Sequence, residues 1–566
     1  HAEEFGEAEI FVEAIRDSEV GDLRAALLLL MGATGLVLLI VSANVANLAL
    51  VRAAGRGKEW GVRLALGAPR SRIITLILTE SLTLAVVGGG LGVLLAWAGV
   101  EALRPLVVPL LPVTTTLGVD GTAMGFALAL AVAVALAFGL VPALSAAGRS
   151  PATGIDRGAG SRSGSKRERR MRELLVTAEI ALAVVLVMGG GLLLRSLVSL
   201  QQVDLGFDPA PLSTLSVGFP GSDELAPEEQ VLYYEELTSR ITALPGVEGV
   251  AWGQFLPSEV GAGAGLRAQD VPNIDGSSSV RWHSVSETYF ETVGVEMLEG
   301  RGFLPEDRAE TERVAVVNET LARRFFPGGD AVGQLVNTGL DGRTDEDWNW
   351  VRIVGVAGDL RNMGPARPAE PMLYRPLAQQ AAGIIGGPRA VLHLRAPGAG
   401  PEIAEAVRTT VWAVNPDAPI DDVLQGKAIA GPYLSGQRLV LSLVGGFALL
   451  SLLLAALGIY GITRFAVQRR TREIGVRMAI GAERTSVVGL LVRQGLRPAA
   501  MGLGIGLGAS VIASRLIESQ LAGISPLDLP TYLAVPVILA GVSLLATWIP
   551  ACRAAGIDPV QAIRVE

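Results

Sequence analysis

The stretch Glu59-Trp60-Gly61-Val62-Arg63-Leu64-Ala65-Leu66-Gly67-Ala68 returns later in the chain as Glu473-Ile474-Gly475-Val476-Arg477-Met478-Ala479-Ile480-Gly481-Ala482. Each copy follows a long apolar run and lies among arginines. Because loops rich in Lys and Arg stay on the cytoplasmic side of a membrane, both copies are predicted to lie there. A short helix that occurs twice between membrane spans is typical of an element that couples the spans to a partner.

The composition indicates an integral membrane protein. Half of the residues are hydrophobic, 18% are charged, and the apolar residues are gathered into long blocks. About 20 apolar residues are enough to cross a bilayer as a helix. The fold class predicted is therefore an α-helical polytopic membrane protein with seven transmembrane helices, near 25–50, 73–100, 123–147, 174–194, 439–463, 495–517 and 531–550.

The loops differ in charge, and this difference predicts the orientation. Basic residues cluster after the first span, between the third and fourth spans, and after the fifth span. The loops at 101–122 and 518–530 carry acidic residues and one basic residue, Arg104. The sequence therefore predicts a multi-pass membrane protein with the coupling loops and the C-terminus in the cytoplasm.

Residues 201–436 differ from the rest of the chain, because they are polar, rich in Gly, Pro, Asp and Glu, and contain no spanning segment. They are predicted to form one large α+β extracytoplasmic domain. Alternation of apolar and polar residues predicts strands, and wider spacing predicts helices. The predicted strands are 212–217, 247–252, 314–317, 351–356 and 390–394, and the predicted helices are 227–244, 319–326 and 401–414.

A second repeated element marks where each membrane module ends. Pro142, Ala143, Ala146, Ala147, Gly148 and Pro151 correspond to Pro550, Ala551, Ala554, Ala555, Gly556 and Pro559. Internal repeats of this kind divide a chain into equivalent units. The predicted domains are 23–150 and 437–566 as two three-span modules, 151–172 as a flexible basic linker, 173–200 as a further span before the domain at 201–436, and 1–22 as the tail of a preceding extracytoplasmic domain. The intact protein is expected to be a tandem duplication that works as a pseudo-dimer, with a homo-oligomer as the alternative.

These motifs resemble those of FtsX-like and MacB-like permeases of ATP-binding-cassette systems. The resemblance covers almost the whole chain and rests on the two Glu-x-Gly-Val-Arg repeats, the two exit motifs, and the phrase from Phe290 to Phe303. It is closest to permeases with two fused units, the duplicated orphan permeases. The resemblance implies that a short cytoplasmic helix docks on a dimeric ATPase and passes its motion to the outer domain, a process called mechanotransmission.

The resemblance also implies a location in the bacterial inner membrane and a set of ATPase-coupling residues. In this interpretation the arginines pair with acidic groups of the ATPase, the last glycine of each copy ends the helix, and the first glutamate favours the helix dipole. The alternative is that they are ordinary positive-inside residues and helix caps, but identical spacing in two places favours coupling. The residues are Glu59, Gly61, Arg63, Gly67, Glu473, Gly475, Arg477 and Gly481.

Other chemistry is sparse in the sequence. No Gly-x-x-x-x-Gly-Lys-Ser/Thr motif occurs, so a separate cytoplasmic ATPase dimer is expected to hold ATP and magnesium. This chain is expected to bind no cofactor, metal or nucleic acid and to have no catalytic residue, since its histidines, His1, His283 and His393, are scattered. The carboxylates near 306–312 are interpreted as a solvated loop, and the glycine-rich runs in the spans as packing surfaces. Membrane lipid and a periplasmic adaptor or outer-membrane channel are further expected partners.

An ion-driven secondary transporter is the alternative class, and it requires ionisable groups deep in the bilayer. Glu80 and Glu179 are the only candidates, and both are expected to reach water or a neighbouring arginine near the cytoplasmic ends of their spans. Asn44 and Asn47 are expected to form hydrogen bonds between helices. The function expected is export of a hydrophobic drug, a peptide or a lipid-linked molecule. The alternative is a regulatory membrane protein that controls an extracytoplasmic hydrolase or a signal without transport.

Overall fold

The computed structural model divides the chain into two compact units. One is formed by residues 1–198 together with 437–566 and is called here the helical unit, and the other, the extracytoplasmic unit, is Ser199–Gly436. The residues described are 15–56, 59, 62–63, 66–107, 118, 120–147, 163–218, 227–259, 261–269, 279–338, 350–362, 364–379, 389–398, 401–421, 423–429, 431–469, 476–480 and 483–556.

Four long helices form the first part of the helical unit. They are α1 (Ile15–Gly55), α2 (Arg70–Val107), α3 (Gly121–Ala147) and α4 (Ser163–Leu200). Helix α1 begins inside the segment predicted as an extracytoplasmic tail, and residues 1–14 lie outside the described residues. Residues 163–172, predicted as part of a flexible linker, are helical, because α4 extends the spanning helix backwards through the basic residues.

The extracytoplasmic unit is built on one mixed β-sheet. Its described strands are β1 (Leu212–Gly218), β2 (Gly249–Gly253), β3 (Ala262–Gly265), β4 (Arg267–Ala268), β5 (Ser279–Val285), β6 (Met297–Gly300), β7 (Val314–Asn318), β8 (Leu335–Asn337), β9 (Val351–Ala357), β10 (Met372–Pro376), β11 (Arg389–Arg395) and β12 (Leu424–Gln425). The order along the sheet is β12-β1-β11-β2-β5-β10-β7-β9-β8-β4, with β3 on β5 and β6 on β9. Pairs β5–β10 and β7–β9 are parallel.

Four helices cover this sheet, namely α5 (Pro227–Thr242), α6 (Tyr289–Val293), α7 (Glu319–Phe325) and α8 (Pro401–Val414). Helices α5 and α8 pack with β1, β2 and β11 around Leu237, Trp252 and Leu392. Helix α6 packs on a second cluster with Tyr374, and α7 on a third with Trp282. All five predicted strands and three predicted helices of this domain are confirmed.

The stretch from Phe290 to Phe303 begins in α6 and then changes direction at two glycines. Gly294 and Gly300 have φ of 84° and 69°, and a Cβ at Gly300 would overlap the Val354 carbonyl, so a larger residue does not fit. Arg301 then donates to both carboxylate oxygens of Asp307 at 2.7 and 3.1 Å. The prediction that this acidic run is only a solvated loop is therefore wrong at Asp307. Its side chain is buried, and its bonds with Arg301 stabilise this turn of the chain.

Three helices complete the helical unit: α9 (Gly431–Arg469), α10 (Arg484–Leu516) and α11 (Leu529–Ala555). Six of the seven predicted spans are confirmed as helices that are long and apolar enough to cross a membrane. The predicted span at 123–147 lies in α3, whose described apolar part is Gly121–Leu136, so the seventh span stays a prediction.

Helix α4 lies at the centre of the helical unit. Ile180, Val184 and Leu192 are buried in one cluster with side chains of α1, α9, α10 and α11. Close packing against α10 depends on glycines, since a Cβ at Gly502 would lie 2.6 Å from the Thr177 carbonyl oxygen and a Cβ at Gly506 would lie 2.6 Å from Val184 Cβ. The prediction of glycine packing surfaces is met here. In the run at 88–92 of α2 it is met at Gly89, where a Cβ would lie 3.0 Å from Leu128 Cδ1 of α3, but not at Gly88 and Gly92, where a Cβ would have no heavy atom of the described chain within 4 Å.

Candidate coupling site

The first copy of the repeated stretch forms a short helical turn between α1 and α2. Leu66 N donates to the Val62 carbonyl and Ala68 N to the Arg63 carbonyl, both at 3.0 Å. Gly67 follows with φ of 91°, a left-handed conformation in which glycine commonly ends a helix. The residue that the sequence assigns to helix termination therefore lies where the chain turns back toward α2.

The second copy has the same local geometry where it is described. Residues 476–479 are helical, and Ile480 N donates to the Val476 carbonyl at 3.0 Å. This bond corresponds in the repeat to the one between Leu66 and Val62. The candidate residues Gly61, Glu473, Gly475 and Gly481 lie outside the described residues, so their positions stay predictions.

Both copies expose an apolar pair that sequence reasoning missed. Leu66 is 82% exposed and Ile480 81% exposed, and Val62 and Val476, one turn earlier, are exposed as well. Residues four apart lie on the same face of a helix, so each copy presents one apolar ridge. The signal was available in the repeat, because both copies place aliphatic residues at these two positions.

The charged residues of the first copy contact each other. An Arg63 guanidinium nitrogen lies 2.6 Å from a Glu59 carboxylate oxygen, and both side chains are about half exposed. This i, i+4 pair supports the helix by a few tenths of a kcal/mol. In the first copy Leu66 is therefore more exposed than the charged pair beside it.

The two acidic residues of the spans have different surroundings. Glu80 lies 2.8 Å from Arg56, and both side chains are partly exposed, which confirms the expected arginine neighbour. The corresponding prediction for Glu179 is wrong, because this side chain is 1% exposed and accepts a hydrogen bond from Asn44 of α1. Asn44 is confirmed as a group that bonds between helices.

The two described histidines meet in the core of the extracytoplasmic unit. His283 on β5 and His393 on β11 flank β2, and a Cβ at Gly253 would lie 2.9 Å from His393 Nε2 and 3.1 Å from His283 Nε2. Burial lowers the pKa of each imidazole to about 3, against an opposing contribution from the Phe255 backbone at His393. The part of the chain that the structure describes holds no group of three or more His, Cys, Asp or Glu placed to bind a metal ion.

Two family models match this chain. The model of the FtsX-like permease C-terminal domain matches residues 31–151 and again 445–559, and the model of the MacB-like periplasmic core domain matches residues 174–418. Each FtsX-like match contains one copy of the repeated coupling stretch. The duplication seen in the sequence is thus also a duplication of a known domain.

Similar proteins include both exporters and permeases. A macrolide export ATP-binding/permease protein MacB 1/2 of Paracoccus denitrificans is 26% identical over 293 residues, which are 51% of this chain and 42% of that protein. The ABC transporter permease YknZ of Bacillus subtilis, described as uncharacterized, is 23% identical over 370 residues, 61% of this chain and 84% of that protein. The chain spans about half the length of the macrolide-export relatives it matches.

A solved structure also matches part of the chain. The periplasmic region of MacB from Actinobacillus actinomycetemcomitans shares 16% sequence identity with a TM-score of 0.28, over 40% of this chain and 92% of that one. The apolar helices and the MacB-like domain together describe a multi-pass membrane protein with an extracytoplasmic domain.

Proposed function

This chain belongs to the ABC permeases built from FtsX-like domains and a MacB-like periplasmic core domain, and from that premise we propose that its two coupling stretches dock on a cytoplasmic ABC ATPase dimer. ATP binding and hydrolysis occur on that partner. The permease transmits the resulting motion through its spans to the extracytoplasmic unit. The substrate class we propose is a hydrophobic drug, a peptide or a lipid-linked molecule, exported from the outer side of the inner membrane.

The observation that carries this proposal is the exposed aliphatic pair present in both copies. Leu66 and Ile480 are each more than four-fifths exposed on turns that join two spans. Exposed aliphatic side chains on a short helix are suited to a pocket on another protein, where burial of one leucine contributes about 2 kcal/mol. Two equivalent ridges on one chain match a partner that itself has two equivalent grooves, as a dimeric ATPase does.

The flanking charges have a second role in this proposal. Arg63 is paired with Glu59 within its own helix, so it orients the turn as well as offering charge to the partner. We therefore expect the aliphatic residues to contribute more to affinity than the arginines. This order of contributions distinguishes a docking helix from a simple positive-inside loop, in which the aliphatic residues would contribute nothing.

The test compares substitutions in the two copies. The full chain is produced together with its ABC ATPase, purified in lipid nanodiscs, and assayed for bound ATPase and for ATP hydrolysis. Leu66→Glu with Ile480→Glu is expected to abolish co-purification, and either substitution alone to weaken it. Arg63→Ala with Arg477→Ala is expected to have a smaller effect.

The matched control is Leu232→Glu, because Leu232 is also highly exposed but lies on α5 of the extracytoplasmic unit. It is expected to leave ATPase binding unchanged. Retention of the ATPase by the double glutamate variant would reject the docking proposal.

A further inference from the structure

A polar contact joins three helices inside the helical unit. Glu179 of α4 is 1% exposed, and its Oε1 accepts a hydrogen bond from Asn44 Nδ2 of α1. The same Nδ2 donates to the Leu454 carbonyl oxygen of α9 at 3.0 Å. An amide nitrogen has two hydrogens, so both bonds can exist together.

The surrounding residues leave room for this contact. A Cβ at Gly458 of α9 would overlap the Glu179 carboxylate and lie 3.0 Å from Asn44 Oδ1. Gly458 and Asn44 occupy equivalent positions of the two modules. One module therefore supplies the amide, the other supplies the space, and the carboxyl group of α4 lies between them.

A carboxyl group is expensive to bury among apolar spans. An intramembrane ionisable residue is rare and usually functional, and apolar side chains would pack in its place at lower cost. In such low-dielectric surroundings the hydrogen bonds are strong, and leaving either partner unpaired is costly. Loss of either partner is therefore expected to weaken the contact between the three helices more than loss of a single apolar packing contact would.

The three helices lead to the parts of the molecule that must communicate in the proposed function. Helix α1 continues past Asn44 to Gly55, and the first coupling stretch follows it in the sequence. Helix α9 continues past Gly458 to Arg469, and the second coupling stretch follows it in the sequence. Helix α4 continues past Glu179 to Leu200, where the chain enters the extracytoplasmic unit.

We propose that Glu179 is a positioning residue that, through Asn44 and the Gly458 gap, makes α4 move with the two helices that carry the coupling stretches. This inference rests on the proposed function. Coupling between distant sites requires an element whose arrangement both sites bias, and in this proposal the buried, hydrogen-bonded carboxyl group between three helices is that element. Glu179 does not contact ATP or substrate.

The test separates coupling from binding. In a Cys552→Ser background, spin labels are placed at exposed positions 194 of α4 and 548 of α11, because α4 is the helix whose movement is proposed and α11 carries no coupling stretch. Distances are measured by electron paramagnetic resonance in nanodiscs with the bound ATPase, without nucleotide and with ATP and vanadate. The unsubstituted chain is expected to show a nucleotide-dependent shift.

Glu179→Leu and Asn44→Leu are each expected to retain the ATPase and its basal hydrolysis but to lose the shift. Glu179→Gln keeps an oxygen that can accept the hydrogen bond from Asn44, so this variant is expected to show the nucleotide-dependent shift. The matched control is Asn47→Leu, because Asn47 is buried one turn further along α1 and its Oδ1 has no hydrogen-bond partner in the part of the chain that the structure describes.

A normal shift in Glu179→Leu or in Asn44→Leu would overturn the inference, and so would an equal loss in Asn47→Leu. If Glu179→Leu fails to fold, Asn44→Leu and Glu179→Gln decide the matter. Failure of the unsubstituted chain to bind an ATPase would instead reject the proposed function, so the two failures are distinguishable.

Discussion

Helices α2 and α10 are equivalent by sequence but not by environment. Arg70, Gly88 and Gly92 of α2 correspond to Arg484, Gly502 and Gly506 of α10. Gly502 and Gly506 are buried against α4, whereas Gly88 and Gly92 are exposed and have no close neighbour among the described residues, and Gly89 between them lies against Leu128 of α3. A Gly-x-x-x-Gly motif therefore permits another helix to pack closely, but the motif alone does not determine whether a helix packs there.

The coupling stretches show the opposite behaviour. Leu66 and Ile480 have nearly the same exposure although the helices beside them are packed differently. The two modules thus agree where they face a proposed partner and differ where they face their own neighbours. This pattern is expected if the partner is symmetric and the permease is not.

The largest expected effect comes from replacing a buried glycine of α10 with a large residue. Gly506→Leu forces a side chain into Ala181 and Val184 of α4, so we expect destabilisation by about 3 kcal/mol or more. The matched variant Gly92→Leu is expected to stay within about 0.5 kcal/mol, as exposed substitutions do. Thermal unfolding in nanodiscs, followed by tryptophan fluorescence, measures both. A comparable loss at Gly92 would show that another helix covers the Gly92 face of α2 and would remove the difference between the modules.

The next largest effect is expected in the pH dependence of stability of the extracytoplasmic unit, because two histidines are buried there. His283 and His393 have pKa values of about 3 when folded and near the ordinary 6.5 when unfolded. Between these values the unfolded chain binds more protons, so their neutral burial is fully tolerated above pH 6.5 and stability falls as the pH drops below it. We expect a loss of about 1 kcal/mol for each histidine between pH 7 and pH 5.5.

Pulse proteolysis of the full chain in urea, with cleavage within 199–436 as the signal, measures this loss. His393→Gln is expected to reduce the pH dependence by about half, because one buried imidazole is removed. An unchanged slope in that variant would contradict the assignment to the histidines.

The smallest effect is expected at the charged pair of the first coupling stretch. Glu59→Gln removes an exposed i, i+4 ion pair with Arg63, which is worth about 0.3–0.5 kcal/mol. The expected shift in Tm is about 1 °C or less, and it should vanish at high salt. A large shift would mean that Glu59 supports more than its own helix and that the two copies differ in structure.

Much of the architecture could be predicted because it depends on local patterns. Apolar length predicted six confirmed spans, and alternation predicted strands such as 314–317 and 351–356. The assignment to FtsX-like and MacB-like permeases followed from short motifs that the family models confirm. The coupling roles of Glu59, Arg63, Arg477 and the other residues of the repeat remain predictions.

The errors have a common physical origin. Glu179 was expected to reach water because its distance from the helix end is known from sequence, but the neighbours that cover it are not. Asp307 was placed in a solvated loop because a run of acids is usually exposed, yet Arg301 binds it. The exposed Leu66 was overlooked because an aliphatic residue in an apolar helix is usually packed. In each case the side chain's surroundings, and not its type, decided the outcome.

By itself, the sequence determined the number and order of the modules, the positions of the confirmed spans, the location of the soluble domain and the repetition of the coupling stretch. These properties follow from the length, period and identity of residues close together in the chain. Only the tertiary structure decided which glycines pack against another helix and how deeply Glu179 is buried. It also decided that His283 and His393 both lie beside Gly253. Those outcomes depend on contacts between residues hundreds of positions apart or on separate strands, and no local pattern specifies which surfaces will meet.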